Sequence, residues 1–243
     1  MKRILFKNTR LPFLIIFICM IQFPYSFGKS TLWEPVLSNT SKVASNRSLE
    51  LYNKLQLKKA GLSEKAFLFA IEGFEKIKQS RTFNNDHIIS IIDFTKASSK
   101  KRLFVVDIEN EMVLFNTYVA HGQHSGKRFA TNFSNTAESL QSSLGFYETS
   151  QTYFGKNGYS LQLIGLEKGI NDNANERSIV MHGAPYVCEQ FIKSNGYLGR
   201  SWGCPAVPED LTKPIINTIK NGTCLFIYAN DQHYLNTSVM FKS

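Results

Sequence analysis

Leu103-Phe104-Val105-Val106-Asp107-Ile108, the pair Glu109-Asn110, and then Met112-Val113-Leu114-Phe115-Asn116-Thr117-Tyr118-Val119 set the fold class of this 243-residue chain. Two runs of β-branched and aromatic residues flank a polar pair, a composition that favours strands joined by a hairpin turn. Comparable runs lie on either side: Ile88 to Phe94 before them, and Leu144 to Thr149, Tyr159 to Leu166, Ser178 to His182 and Thr223 to Ala229 after them. Many short strands punctuated by Gly, Asn and Ser imply a mainly β fold with α elements, a β-sandwich or open barrel.

The period differs upstream. From Ser48 to about Ser80 the pattern is helical: Leu49, Leu51, Tyr52, Leu55 and Leu57 lead into Lys58-Lys59-Ala60-Gly61, a basic last turn with a terminating glycine. Leu62 and Ser63 supply a staple and an N-cap for a second helix, in which Ala66, Phe67, Ala70, Ile71, Phe74 and Ile77 recur at three- and four-residue spacing. This N-terminal helical hairpin is expected to pack on the rest of the chain. Pro208-Glu209-Asp210-Leu211 opens one more helix, running to Lys220 and closed by Asn221-Gly222. No internal repeat or low-complexity tract is present.

At the start of the chain Lys2, Arg3, Lys7 and Arg10 precede the apolar run Leu11 to Phe23, and Ser26-Phe27-Gly28 offers a small-x-small cleavage site. The run is shorter than the about twenty residues of a membrane span. A cleaved secretory leader is expected, with an uncleaved anchor as the alternative. Phe17-Ile18 is too bulky to precede a lipidated Cys19. The expected organisation is a leader over 1–28, a helical segment over 29–84 and a β-rich domain over 85–243, in an exported protein. The membrane is then met only through the leader.

Removing those four basic residues lowers the formal charge from +9 to +5. Such a surface suits an anionic wall polymer or headgroup, but no arginine-rich or aromatic-interleaved basic motif points to nucleic acid. Lys100-Lys101-Arg102 reads as a solvated turn. Export also leaves Cys188, Cys204 and Cys224, an odd number in an oxidising compartment, so at least one thiol stays unpaired. Cys224, inside an apolar run, reads as a core residue, and Cys188 is ambiguous. A Cys188–Cys204 or Cys188–Cys224 bridge is the alternative. Their spacing with His182 lacks the close ligand pairs of structural zinc sites.

Cys204 has no packing role that its neighbours suggest. It sits between Gly203 and Pro205 in Gly199-Arg200-Ser201-Trp202-Gly203-Cys204-Pro205, downstream of His182-Gly183. A cysteine attacks a carbonyl as thiolate, and an imidazole can take its proton. Gly183 and Gly203 tolerate unusual backbone angles and would let a substrate backbone approach closely. Gly203 would also let successive N–H groups converge as an oxyanion hole. His182 closes a strand, a rigid mount for a base, and His121 in His121-Gly122-Gln123-His124-Ser125-Gly126 ends another and is a possible substrate contact. Acyl transfer is the reaction class these residue types support.

Ser201-Trp202-Gly203-Cys204 after His182-Gly183 resembles the nucleophile motif of the YkuD-type murein L,D-transpeptidases. Further matches fall in order over Ile88 to Tyr228: Val119-Ala120-His121-Gly122, Ser125-Gly126, Phe133-Ser134-Asn135, Ser142-Ser143-Leu144-Gly145-Phe146-Tyr147, Asn171-Asp172, Met181-His182-Gly183-Ala184 and Gly199 through Ala206. The resemblance implies that 85–243 is an L,D-transpeptidase-like catalytic domain in the periplasm or cell envelope of a bacterium, acting on peptidoglycan stem peptides. Cys204 would attack the carbonyl joining the L-configured centre of a diamino acid to a terminal D-residue and hold a thioester, with His182 as base and then acid. Ser201, Trp202, Arg200, Gly203, Gly183 and His121 would line the substrate or oxyanion site. No cofactor, ATP or metal is implied, and carbapenems would acylate the same thiol.

Two departures from the family pattern bear on the acceptor. Common members carry arginine two positions after the cysteine, where this chain has Ala206, and Arg200 is expected to supply some of that charge. The interval from His182 to Cys204 is also longer than in many members. The group orienting His182 is open, a backbone carbonyl being one option. Two other outcomes stand beside the transpeptidase: an L,D-carboxypeptidase, in which water resolves the thioester, and a non-catalytic wall-binding module with a structural Cys204.

Overall fold

A computed structural model of the chain describes residues 46–242. The expected leader over 1–28, and residues 29–45, lie outside the described residues. Residues 46–54 are helical (α1), followed by α2 (Leu57–Ala60) and α3 (Glu64–Lys78). The periodicity through Leu57 predicts one continuous helix, but the structure breaks it at Gln56, which is left-handed with φ 50°. The break lets Leu57 enter the same core as Tyr52. Gly61, at φ 100°, ends the short helix by donating its N–H to the carbonyls of Leu57 and Lys58, as its place in the sequence predicts. Ser63 caps α3 by accepting from the Ala66 N–H at 3.4 Å. One face of α3 buries Phe67, Ala70, Ile71, Phe74 and Ile77. Gly73 admits the Phe146 ring, since a Cβ there would lie 2.1 Å from it.

That ring belongs to an eight-stranded sheet: β1 (Ile88–Asp93), β2 (Leu103–Asp107), β3 (Met112–Thr117), β4 (Gly145–Gly155), β5 (Gly158–Gly165), β6 (Val180–Gly183), β7 (Ala206–Val207) and β8 (Cys224–Tyr228). Their order is β3-β2-β1-β8-β4-β5-β6-β7. Among the described strands, only β1·β8 and β6·β7 pair in parallel. Both central strands, β1 and β8, are buried throughout, as continuous apolar runs covered on both faces must be. The two ends of the sheet approach each other through an antiparallel bridge between Ala120, just beyond β3, and Ala206 of β7. The result is the expected mainly β architecture with α elements, a nearly closed barrel-like sheet with helices packed on it. Closure comes from the open-barrel option, not from two stacked sheets.

The turn after β2 is built by Asp107, whose Oδ1 accepts the N–H groups of Glu109 and Asn110 at 3.1 and 2.8 Å. β4 runs six residues beyond its predicted end at Thr149, because the pairing with β5 shifts between Thr149 and Thr152 and the second half faces solvent. α5 (Glu209–Ile219) forms where expected, with Pro208 at its N-cap. α4 (Glu189–Asn195), α6 (Gln232–Thr237) and β7 have no counterpart in the sequence reading. Each is too short to show a period.

Candidate active site

His182 lies on β6 between strands that bury Val180 and Met181. In the parallel pairing of β6 with β7, His182 stands opposite Ala206, and Cys204 comes two residues before Ala206 in the approach to β7. The thiol therefore runs alongside the start of β6. Its sulfur donates to the Ser178 carbonyl at 3.7 Å and is faced by the N–H groups of Val180 and of Cys204 itself. Ser178 adopts the left-handed region at φ 54°, a cost that residues near functional sites often carry. Among the described residues no hydrogen bond joins the thiol to His182.

The nucleophile turn explains its own sequence. Ser201 Oγ accepts from the Gly203 N–H at 3.1 Å and donates to the Cys204 carbonyl at 2.6 Å, so this side chain closes the turn and does not face a substrate. Gly203 sits at φ 126°, and a Cβ there would come within 2.7 Å of the Gln141 carbonyl oxygen. Its own carbonyl accepts from Ser142 Oγ at 3.0 Å. Glycine is required, but for the turn and the neighbouring loop. Because its N–H is already committed to Ser201, the expected convergence of N–H groups is reduced to that of Cys204. Trp202 stands 69% exposed on the outside of the turn, with Lys156 Nζ 5.7 Å from its ring centroid.

Electrostatics divide the two reactive groups. Burial pushes the Cys204 thiol up, while the Val180 N–H, the Arg177 charge and its own N–H pull it down, and the rise prevails. Burial also lowers the His182 pKa, partly offset by its bond to the Gly183 carbonyl. His182 Nδ1 lies 2.9 Å from that oxygen, which fixes the proton on Nδ1 and leaves Nε2 as a free lone pair. The orienting group is thus a backbone carbonyl of the adjacent residue. A resting neutral thiol beside a neutral imidazole can exchange one proton and become an ion pair when a substrate arrives.

Several expected contacts fall elsewhere. Gly183 does not open a path for substrate: a Cβ there would lie 2.3 Å from Thr212 Oγ1, so its smallness serves the packing of α5. Arg200 lies over the Tyr197 ring at 5.6 Å and acts on His121, not on Cys204. The charge facing the thiol is Arg177, which the sequence reading missed. Nothing in its local spacing marks it. His121 has no exposed surface and cannot touch a substrate in this arrangement. Its Nδ1 accepts from Arg102 Nη2 at 2.7 Å and its Nε2 lies 3.2 Å from the Gly126 carbonyl. Arg102, expected in a solvated turn, is wholly buried. Cys188, Cys204 and Cys224 are free thiols. Among the described residues no group of His, Cys, Asp and Glu side chains is arranged to hold a metal.

His121 makes a prediction of its own. Burial first, then the Arg102 charge, pushes its pKa down to about 3, whereas the unfolded chain protonates near the ordinary histidine value of about 6.5. Below that value the unfolded state binds the extra proton, so its stabilising contribution, complete above pH 6.5, is lost as pH falls toward 3. The slope is about 1.4 kcal/mol per pH unit. Urea denaturation at pH 7 and pH 5 should therefore give the lower stability at pH 5, by about 2 kcal/mol from this residue. His121→Gln should flatten the difference, and an unchanged difference would reject the assignment.

The sequence profile described as L,D-transpeptidase catalytic domain matches residues 58–228. No curated protein matches the chain. Among solved structures, an L,D-transpeptidase from Mycobacterium smegmatis is 13% identical, with 59% of this chain and 59% of that chain covered and a TM-score of 0.37. An L,D-transpeptidase from Stackebrandtia nassauensis is 13% identical, with 79% and 80% covered and a TM-score of 0.37. The helical cell shape determining protein Pgp2 from Campylobacter jejuni is 10% identical, with 66% and 55% covered and a TM-score of 0.41. The chain thus spans less than two thirds of the length of the first and third of these. With the profile running from α2 through the last strand of the sheet, the chain belongs to the L,D-transpeptidase catalytic domain family.

Proposed function

We propose that this protein is a cysteine-dependent acyltransferase on peptidoglycan stem peptides, an L,D-transpeptidase exported to the bacterial envelope. The observation that carries the reading is the parallel pairing of β6 and β7, which runs Cys204 alongside the strand bearing His182, whose Nε2 is free. In the first half-reaction His182 Nε2 takes the thiol proton as the sulfur turns from the Ser178 carbonyl. The sulfur then attacks the carbonyl between the L-centre of the diamino acid and the terminal D-residue. The tetrahedral oxyanion draws on the Cys204 N–H. Collapse breaks the C–N bond, the imidazolium gives its proton to the leaving amine, and a thioester remains.

In the second half-reaction an acceptor side-chain amine attacks the thioester. His182 takes a proton from that amine and returns one to the departing sulfur, so a new amide forms at the expense of the old one with no external energy source. The exposed Trp202, two residues before Cys204, offers an apolar ledge beside the turn. A carbapenem, whose ring is a strained amide, would acylate the same sulfur.

Incubation with purified stem-peptide monomers and dimers, read by product mass, tests this. Cross-linked product is the expected result. Loss of the terminal residue alone would mean that water resolves the thioester, and an unchanged substrate would leave a wall-binding module.

A further inference from the structure

We propose that Arg177 is a positioning residue for Cys204, its charge easing ionisation of the sulfur as the proton leaves, without a hydrogen bond to it. The inference rests on Cys204 being the nucleophile, and begins from the inventory of the guanidinium. Arg177 Nη1 donates to the Ser134 carbonyl at 2.7 Å and Ser143 Oγ at 2.5 Å, and Nη2 donates to the Gln141 carbonyl at 2.6 Å and Ser139 Oγ at 3.3 Å. Both terminal nitrogens are occupied by neutral acceptors. They are not free to clamp a substrate carboxylate in the bidentate manner that recognition by arginine uses. Yet no carboxylate pairs with this cation among the described residues. A half-buried charge compensated only by dipoles leaves its field acting on whatever lies next to it.

What lies next to it is the nucleophile turn. A Cβ built on Gly203 would fall 3.4 Å from Arg177 Nη2 and 2.7 Å from the Gln141 oxygen that Arg177 grips. The intervening Ser142 ties the same loop to the Gly203 carbonyl at 3.0 Å. The guanidinium therefore flanks the residue before Cys204, across a loop wall with fixed hydrogen bonds. The influence runs both ways: the Arg177 charge draws the thiol down against its burial, and the sulfur, once ionised, partly offsets the burial that lowers the Arg177 pKa. The other titratable groups facing this sulfur are His182, by strand register, and Tyr186, whose hydroxyl is pushed up to about 12 by burial and then by the sulfur itself and so stays neutral. Arg177 is thus the cation available before His182 has taken a proton.

The test is the pH dependence of Cys204 alkylation by iodoacetamide, read on the Cys204 peptide by mass spectrometry so that other thiols do not contribute. Arg177→Gln should raise the midpoint by roughly one pH unit, a drop of about tenfold in thiolate fraction at neutral pH. Arg177→Lys keeps the charge and loses the fork, and its midpoint should stay within about half a unit of the wild type. Ser143→Ala loosens the clamp and keeps the charge, and should leave the midpoint where it is. A full-unit rise in Arg177→Lys or Ser143→Ala would mean that the clamp acts mechanically, and an unmoved midpoint in Arg177→Gln that the charge is irrelevant. Either overturns the inference. If Arg177→Gln does not fold, Arg177→Met removes the same charge and takes its place, with the same expected rise and the same limits. A carbapenem adduct on wild-type Cys204 with no midpoint shift rejects only this role of Arg177, whereas no adduct rejects the acyl-transfer reading itself.

Discussion

Exposed to a carbapenem, the wild-type protein is expected to gain one ligand mass in intact-protein mass spectrometry, and Cys204→Ala none. Cys188→Ala and Cys224→Ala should still form the adduct. Cys188, Cys204 and Cys224 are all free, so the distinction among them rests on their surroundings. Cys224 lies in the core on β8, where burial holds its thiol well above the usual range. The Cys188 sulfur caps α4 by accepting the Phe191 N–H at 3.4 Å. Of these three, Cys204 is the one whose sulfur is faced by both N–H groups and a cation that favour its ionised form. His182→Ala should slow acylation at least about a hundredfold, the usual effect of losing a positioned base. Loss of labelling in Cys188→Ala alone would move the nucleophile to that residue. A near-normal rate in His182→Ala would assign proton transfer to another group.

The pair behind that expectation was legible because its signals are local. Cys204 stands in a glycine-flanked loop that gives it no packing role, and His182 ends a run of strand-forming residues. The strands with strong apolar runs were legible for the same reason. Arg177 was not, because its partners lie 34 to 43 residues away and no periodicity links them. His121 shows the converse. Its flanking residues single it out, but its fate is decided by Arg102, 19 residues earlier, whose side chain turns inward from what reads as a polar run. Gly183 and Gly203 drew notice as glycines beside reactive groups. Which atom approaches each, Thr212 Oγ1 or the Gln141 carbonyl, depends on tertiary packing that sequence spacing does not encode.

Arg102 carries the other large expected effect. Its guanidinium is wholly buried, over the Phe94 ring at 4.7 Å. Nε and Nη2 donate to the Val119 carbonyl at 3.0 and 2.9 Å, Nη1 to the Lys96 carbonyl at 3.0 Å, and Nη2 also to His121 Nδ1. Burial pushes its pKa down to about 9, which still leaves it charged at neutral pH. Arg102→Met would fill much of the volume and strand these acceptors away from water, each at about 1–3 kcal/mol. A loss of at least about 3 kcal/mol is expected, or about 6–12 °C in the melting temperature of a chain this size. The consequence reaches the nucleophile, because Val119 precedes the residues that frame it. The Ala120 N–H donates to the Ala206 carbonyl at 2.8 Å, the His121 carbonyl accepts from the Ser201 N–H at 3.0 Å, and the Gln123 N–H donates to the Ser201 carbonyl at 2.8 Å. The same bonds bring the two ends of the sheet together. Arg102→Met should therefore acylate more slowly than wild type even well below its own melting temperature, where the folded fraction is complete. An unchanged melting temperature would show that the buried acceptors find other donors. A lowered melting temperature with an unchanged acylation rate would show that the nucleophile turn keeps its geometry without this anchor.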